Sequence, residues 1–220
     1  MNSKLIKFIF LASFIFLGLY NKVSAHAPYY INTESRVSTQ EPEVSKAYYA
    51  ELDGKPAEYT ITSDKPFSFY INILVPDIEG VTKDFLVQVE NDKGSVVATL
   101  DGENFIWERW YENFAGDWYY KGPEYKKTLE AGVYKVIVSN KTNTGKYVLA
   151  PGEKEVFTIG GTPKTISEIY KIKTKFFNKN AFSIFEGIIG RSLLGMHIFI
   201  VLLIIGGTYL IRKRNAKKVF

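Results

Sequence analysis

Apolar and polar residues alternate through most of the middle of the chain. Phe67, Phe69, Ile71 and Ile73 fall on one side of segment 67–74, with Ser68, Tyr70 and Asn72 between them. Phe85, Val87 and Val89 repeat the pattern over 84–90, and Tyr134, Val136 and Val138 repeat it over 133–139. A period of two puts every second side chain on one face of an extended chain, so each segment predicts a half-buried strand. The separators are turn formers: Asp53-Gly54-Lys55-Pro56, Asn91-Asp92-Lys93-Gly94, Ala131-Gly132, and Asn140 to Gly145. Strand follows strand with no amphipathic helix between them. That order predicts an all-β domain over 46–160, an antiparallel β-sandwich of about eight strands. Residues 26–45 are polar, contain Pro28 and Pro42, and read as a lead-in with one edge strand.

Beyond the strands the period changes to that of a helix. Thr162 can cap it and Pro163 suits its first position. Ile166, Ile169, Tyr170, Phe176 and Phe177 form an apolar stripe, and Lys164, Lys171, Lys175 and Lys179 fall on the other side. Two readings stand side by side. The helix lies on a lipid surface, or its stripe packs on the sandwich. Asn178 to Gly190 then acts as a joint, so that 162–190 forms a juxtamembrane unit.

Two continuous apolar runs flank this body. Ser192 to Ile211 has no formal charge and is long enough to cross about 30 Å of hydrocarbon at about 1.5 Å per residue. Arg212-Lys213-Arg214 follows at once, and 212–220 reads as a basic cytoplasmic tail. At the other end, Lys4 and Lys7 precede an apolar run from Leu5 to Leu19 and the small-x-small site Val23-Ser24-Ala25. These are the parts of a secretory signal peptide over 1–25, with cleavage leaving His26 first. Lys173, Lys175, Lys179 and Arg191 lie just outside the span. The charge contrast across it is therefore small, and the leader carries the orientation. The expected layout is an extracytoplasmic domain, one C-terminal transmembrane helix and a cytoplasmic tail.

Charge and composition then narrow the function classes. The net charge of +5 belongs to the ends: residues 1–22 hold three lysines and 212–220 hold five basic residues, with no acid in either. With those eight of the 28 basic residues set aside, 20 remain against 23 acidic ones, so nothing indicates nucleic acid. There is no cysteine, which excludes disulfides, thiolate metal sites and a cysteine nucleophile. With two histidines, and no Gly-x-Ser-x-Gly, phosphate-loop or His-Glu-x-x-His motif, no enzyme and no cofactor are expected.

The stretch Leu129-Glu-Ala-Gly-Val-Tyr-Lys-Val-Ile-Val-Ser139, followed by Thr144-Gly-Lys-Tyr-Val-Leu149, resembles the closing hairpin of prepeptidase C-terminal-like β-sandwich domains. Asp84 to Leu100 is similar to their earlier hairpin, with Asn91-Asp-Lys-Gly94 as its turn. The resemblance covers about residues 57–150. It implies a jelly-roll-like fold and an extracytoplasmic accessory role, and it brings no catalytic residues. The layout as a whole resembles that of single-span bacterial envelope proteins.

The densest chemical feature is the segment 105–125, expected as a long loop between strands. It holds all three tryptophans, Trp107, Trp110 and Trp118. With Arg109, Tyr111, Tyr119 and Tyr120 they form the candidate binding surface. Aromatic rings with polar neighbours anchor a protein partner or stack on a cell-surface glycan. The same rings can instead close one end of the core. Glu108, Glu112 and Asp117 add hydrogen-bonding groups. A second candidate is His26, which as a mature N-terminus offers an amine and an imidazole to copper. The other histidine, His197, lies inside the apolar span, so oxygen donors would have to complete the shell. Asp77, Glu79, Asp84, Asp101 and Glu103 sit near turns without the spacing of a calcium loop.

Overall fold

The computed structural model describes residues 26–31, 37–156 and 162–216. The expected leader over 1–25 and the end of the expected tail, 217–220, lie outside the described residues. Two sheets face each other. The first has six strands in the order β1-β3-β11-β5-β9-β8, and the second five in the order β2-β4-β10-β6-β7. The strands of the first sheet are β1 (Ala27–Tyr30), β3 (Lys46–Asp53), β5 (Phe67–Pro76), β8 (Glu108–Glu112), β9 (Asp117–Leu129) and β11 (Thr144–Pro151). Those of the second are β2 (Val37–Thr39), β4 (Ala57–Ser63), β6 (Leu86–Glu90), β7 (Val96–Asp101) and β10 (Gly132–Ser139). All pairings are antiparallel except β1 with β3 and β2 with β4. The lead-in thus forms two short parallel edge strands, one per sheet, where one strand was expected. Nine strands follow in 46–151, one more than the turn spacing suggests, because 105–125 folds as a hairpin.

The expected inward faces are the observed ones. Phe69, Ile71, Ile73, Phe85, Val87, Val89, Val136 and Val138 are fully buried between the sheets. Tyr147 joins them, and its hydroxyl meets that of Tyr59 at 2.8 Å, so neither phenol is left unsatisfied in the core. Burial raises the Tyr59 and Tyr147 hydroxyls well above the ordinary tyrosine range.

The first sheet is buried on its outer face as well. Ala47, Tyr49, Leu74, Tyr119, Val148 and Ala150 point away from the sandwich core into a second cluster. The covering element is α1 (Thr162–Lys171), which runs into one wide π turn (Ile172–Phe176). Phe177 N–H donates to Ile172 O at 2.9 Å, a span of five residues. The extra residue in that turn lets Ile172, Phe176 and Phe177 all reach the sheet. Of the two readings of this helix, packing on the sandwich is the one the structure adopts. Glu168 accepts a hydrogen bond from Tyr30 N–H at 2.8 Å and Lys146 donates to Phe176 O at 2.8 Å, which ties the helix and its π turn to the sheet at two points. A short 3-10 turn (Ala181–Glu186) then leads into α2 (Ile188–Ala216). Among the described residues, this is the one helix long and apolar enough to cross a membrane.

Candidate functional site

The aromatic segment does not form one surface. Its strands β8 and β9 pair from Glu108↔Lys121 to Glu112↔Asp117, so neighbouring rings project to opposite faces. Trp107 lies inward: its indole N–H donates to Gly102 O at 2.7 Å, and its ring packs against the sandwich core. A Cβ on Gly122 would come within 2.5 Å of that ring, so the glycine is what lets the indole lie on the strand. Tyr120 is partly buried against the same core, with the Lys83 ammonium 3.2 Å above its ring. Tyr119 and Trp110 face the helical layer, their ring centres 6.2 Å apart, and Tyr119 is only 2% exposed. Arg109, Tyr111 and Trp118 remain together on the accessible side. The Arg109 guanidinium sits 4.0 Å above the Trp118 ring and its Nε donates to Asp77 at 2.7 Å. The Tyr111 and Trp118 ring centres are 5.0 Å apart. Trp118 is 43% exposed.

Two of the acids in this segment are committed internally. Glu112 accepts Phe114 N–H at 2.5 Å and Ala115 N–H at 2.7 Å, closing the hairpin loop. Burial raises its carboxyl above the ordinary range, and those two bonds only partly offset it. Asp117 is fully buried, and so is Lys173, whose Nζ lies 2.9 Å from Asp117 Oδ2. Lys173 also donates to Gly116 O at 3.0 Å and to Glu186 at 3.1 Å. Lys179 bridges the same two acids, at 3.0 Å from Asp117 and 2.8 Å from Glu186. Two cations and two anions thus balance at the seam between the sandwich and the segment that enters α2. Burial works against the charge of Lys179, and its bonds to Glu186 and Asp117 prevail, so its ammonium stands above the usual lysine range. Burial likewise acts to raise Glu186, and its bonds from Lys179 and Lys173 prevail, leaving it below the usual glutamate range.

Sequence reasoning missed this seam. One signal was available: Lys173 falls between Ile169, Ile172 and Phe176, on the apolar stripe and not opposite it.

The loop of the same hairpin meets α2 directly. Ile188 N–H donates to Asn113 O at 3.0 Å, so the first turn of α2 is bonded to the hairpin backbone. Gly116 has φ +82°, and a Cβ there would come within 2.5 Å of Gly187 N. A side chain at either glycine would push the hairpin and α2 apart.

His26 lies on the rim of a cavity of about 50 Å³ lined also by Tyr49, Trp110, Glu112 and Tyr119. Its Nδ1 is 2.5 Å from Ser45 Oγ. Among the described residues, no three His, Asp or Glu side chains group to hold a metal. Of the turn acids, Asp77 holds Arg109, Asp84 accepts from Thr82, Asp101 accepts from Glu103 N–H and Asn104, and Glu103 pairs with Lys141. Burial lowers the His26 imidazole below its ordinary 6.5, against the pull of Glu155 and Glu153. The native state therefore binds fewer protons than the unfolded chain once pH falls below 6.5, and stability declines from there as acidity rises. Replacing His26 with glutamine is expected to flatten the melting-temperature profile between pH 6.5 and about 5, above the range of ordinary carboxylates. An unchanged profile would assign that acid limb to another group.

Fold and site together define a β-sandwich joined through one hairpin to a helix of membrane-spanning length. No protein-family model and no curated protein matches the sequence. Among solved structures, the chain is similar to the pre-peptidase C-terminal domain of a collagenase from Bacillus anthracis. The two are 13% identical over 60% of this chain and 97% of that one, with a TM-score of 0.30. It is also similar to part of a β-glucosidase from Paenibacillus barengoltzii, at 7% identity and a TM-score of 0.27 over 59% of this chain and 13% of that one.

Proposed function

We propose that this chain is a non-enzymatic, extracytoplasmic module held on a membrane by α2, and that it engages a protein partner or a cell-surface polymer beside the bilayer. The contact surface is the accessible face of the β8–β9 hairpin, formed by Arg109, Tyr111 and Trp118. The observation that carries the reading is the bond from Ile188 N–H to Asn113 O. It makes the hairpin that presents these rings the same hairpin that receives the apolar helix, so the contact surface is held at a set height above the membrane. The basic cluster Arg212 to Arg214 and the leader-like pattern over 1–25 support a cytoplasmic tail and an external sandwich. Arg109 clamped between Asp77 and Trp118 is a preorganised donor, which lowers the entropic cost of binding.

The test places a photo-crosslinking residue at position 118 of the full chain in intact cells, with position 106 as the control. A discrete adduct at 118, absent at 106, is expected. In a binding assay with the captured partner, Trp118→Ala is expected to cost at least about tenfold in affinity, the scale of an interfacial aromatic anchor. The same change should cost about 1 kcal/mol or less in folding stability, since it removes an exposed cation–π contact. Equal labelling at 106 and 118 refutes this surface.

A further inference from the structure

The 3-10 turn between the sandwich and α2 leaves one phenylalanine bare and a second partly exposed. Phe182 is 80% exposed and Phe185 is 38% exposed. In a 3-10 turn, residues three apart eclipse one another, so the two rings share one face. The turn is held rigid behind them. Asn180 accepts Phe182 N–H at 2.9 Å, and Ser183 Oγ donates to Asn180 O at 2.7 Å with Ser183 itself buried. Exposed aromatic surface held rigid is costly in water, and Phe182 in particular is left almost bare by the described residues.

Their height relative to the membrane follows from α2. Gly190, in its first turn, packs so closely on the Ile184 carbonyl that a Cβ there would collide with it. The 3-10 turn therefore lies level with residue 190. The uncharged apolar run begins at Ser192, two residues or about 3 Å further along the helix. Each headgroup layer is about 5–7 Å deep, so rings at this level fall within it. Charge agrees with the placement. The one acid of the turn, Glu186, is neutralised by Lys179 and Lys173, and Arg191 is exposed with no carboxylate partner among the described residues. A cation at the membrane end of a span matches the chemistry of lipid phosphates, and exposed phenylalanine rings match the apolar side of the interface.

We infer that Phe182 and Phe185 are seated in the headgroup layer of the bilayer that α2 crosses, with Arg191 toward the lipid phosphates, as a foot that holds the sandwich down on the membrane. The inference rests on α2 spanning the membrane and not on the identity of any partner of Trp118.

The native chain has no cysteine, so single-cysteine variants accept one label each. Phe182→Cys, Phe185→Cys, Ile106→Cys and Leu202→Cys of the full chain would be spin-labelled and reconstituted in vesicles of zwitterionic lipid with a minority of anionic lipid. Ile106 is 91% exposed at the end of β8 away from the hairpin loop, and serves as the water reference. Leu202 reports the span. The ratio of collisions with oxygen to collisions with a water-soluble nickel complex is expected to be several-fold higher at 182 and 185 than at 106, and highest at 202. A ratio at 182 equal to that at 106, with 202 still deep, overturns the foot while leaving the span intact. Dipolar broadening between labels at 182, which vanishes on dilution with unlabelled protein, would assign the rings to a second copy and also overturn it. A water-like ratio at 202 would remove the span and the foot together.

Discussion

Asp117→Ala is expected to destabilise the sandwich by about 3–5 kcal/mol, because it leaves the buried Lys173 ammonium without its main counter-charge. Both partners are fully buried, and Glu186, the other carboxylate in reach of Lys173, is 45% exposed and shared with Lys179. At about 2–4 °C per kcal/mol for a body of this size, the melting temperature should drop by about 6–20 °C. The paired replacement Asp117→Leu with Lys173→Met should recover most of that loss, since it removes the desolvation cost together with the attraction. Thermal unfolding of the single and double variants in the same detergent checks this. A double variant no more stable than Asp117→Ala would mean that packing, and not the stranded charge, sets the cost. The pair's position suggests what it is kept for. It joins β9 to the π turn and, through Glu186, to the segment that enters α2, where an apolar contact would tolerate sliding and a charged pair does not. The double variant is therefore the place to look for a stable sandwich with a loosened attachment.

Much of the sandwich is legible along the chain, since β5, β6 and β10 each have one face of strict alternation that faces the other sheet. What the alternation hides is the third layer. In β3, Ala47 to Ala50 are buried without a break, and β11 is buried from Tyr147 to Pro151. Runs of that kind mark strands covered on both faces, here by the other sheet and by α1 with its π turn. The stripe of α1 was their complement, but periodicity alone cannot distinguish a lipid surface from a sheet. The hairpin was harder. Its nine aromatic residues fall at irregular spacing over 105–125, so no period of two stands out, and Gly116 and Gly122 look like loop residues. The first is needed for the turn and the close approach of α2, the second to seat Trp107 on the strand. The buried charges were obscured because Lys173 looks like one more juxtamembrane lysine until a partner is placed beneath it.

Neighbouring residues on β9 offer the sharpest contrast between building and binding. Trp118 and Tyr119 are adjacent, both large and both in the aromatic segment, yet strand geometry sends them to opposite faces. Tyr119 is wedged between Tyr49, Trp110 and Phe177, with ring centres at 6.4, 6.2 and 5.4 Å, and its hydroxyl contacts that of Tyr49 at 3.4 Å. Burial raises its hydroxyl far above the usual tyrosine range, so it acts there as a neutral ring. Truncating it opens a void under α1 and the π turn. Tyr119→Ala is expected to cost about 3–5 kcal/mol, as for other buried aromatic residues. The loss should exceed that of Trp118→Ala severalfold in urea unfolding. Tyr119→Phe keeps the ring and should lose about 1 kcal/mol or less, because the hydroxyl contact is long. If Tyr119→Ala and Trp118→Ala were equally mild, the helical layer would not be anchored through this ring. If both were equally severe, Trp118 would belong to the packing, and the contact surface would have to be sought away from the hairpin.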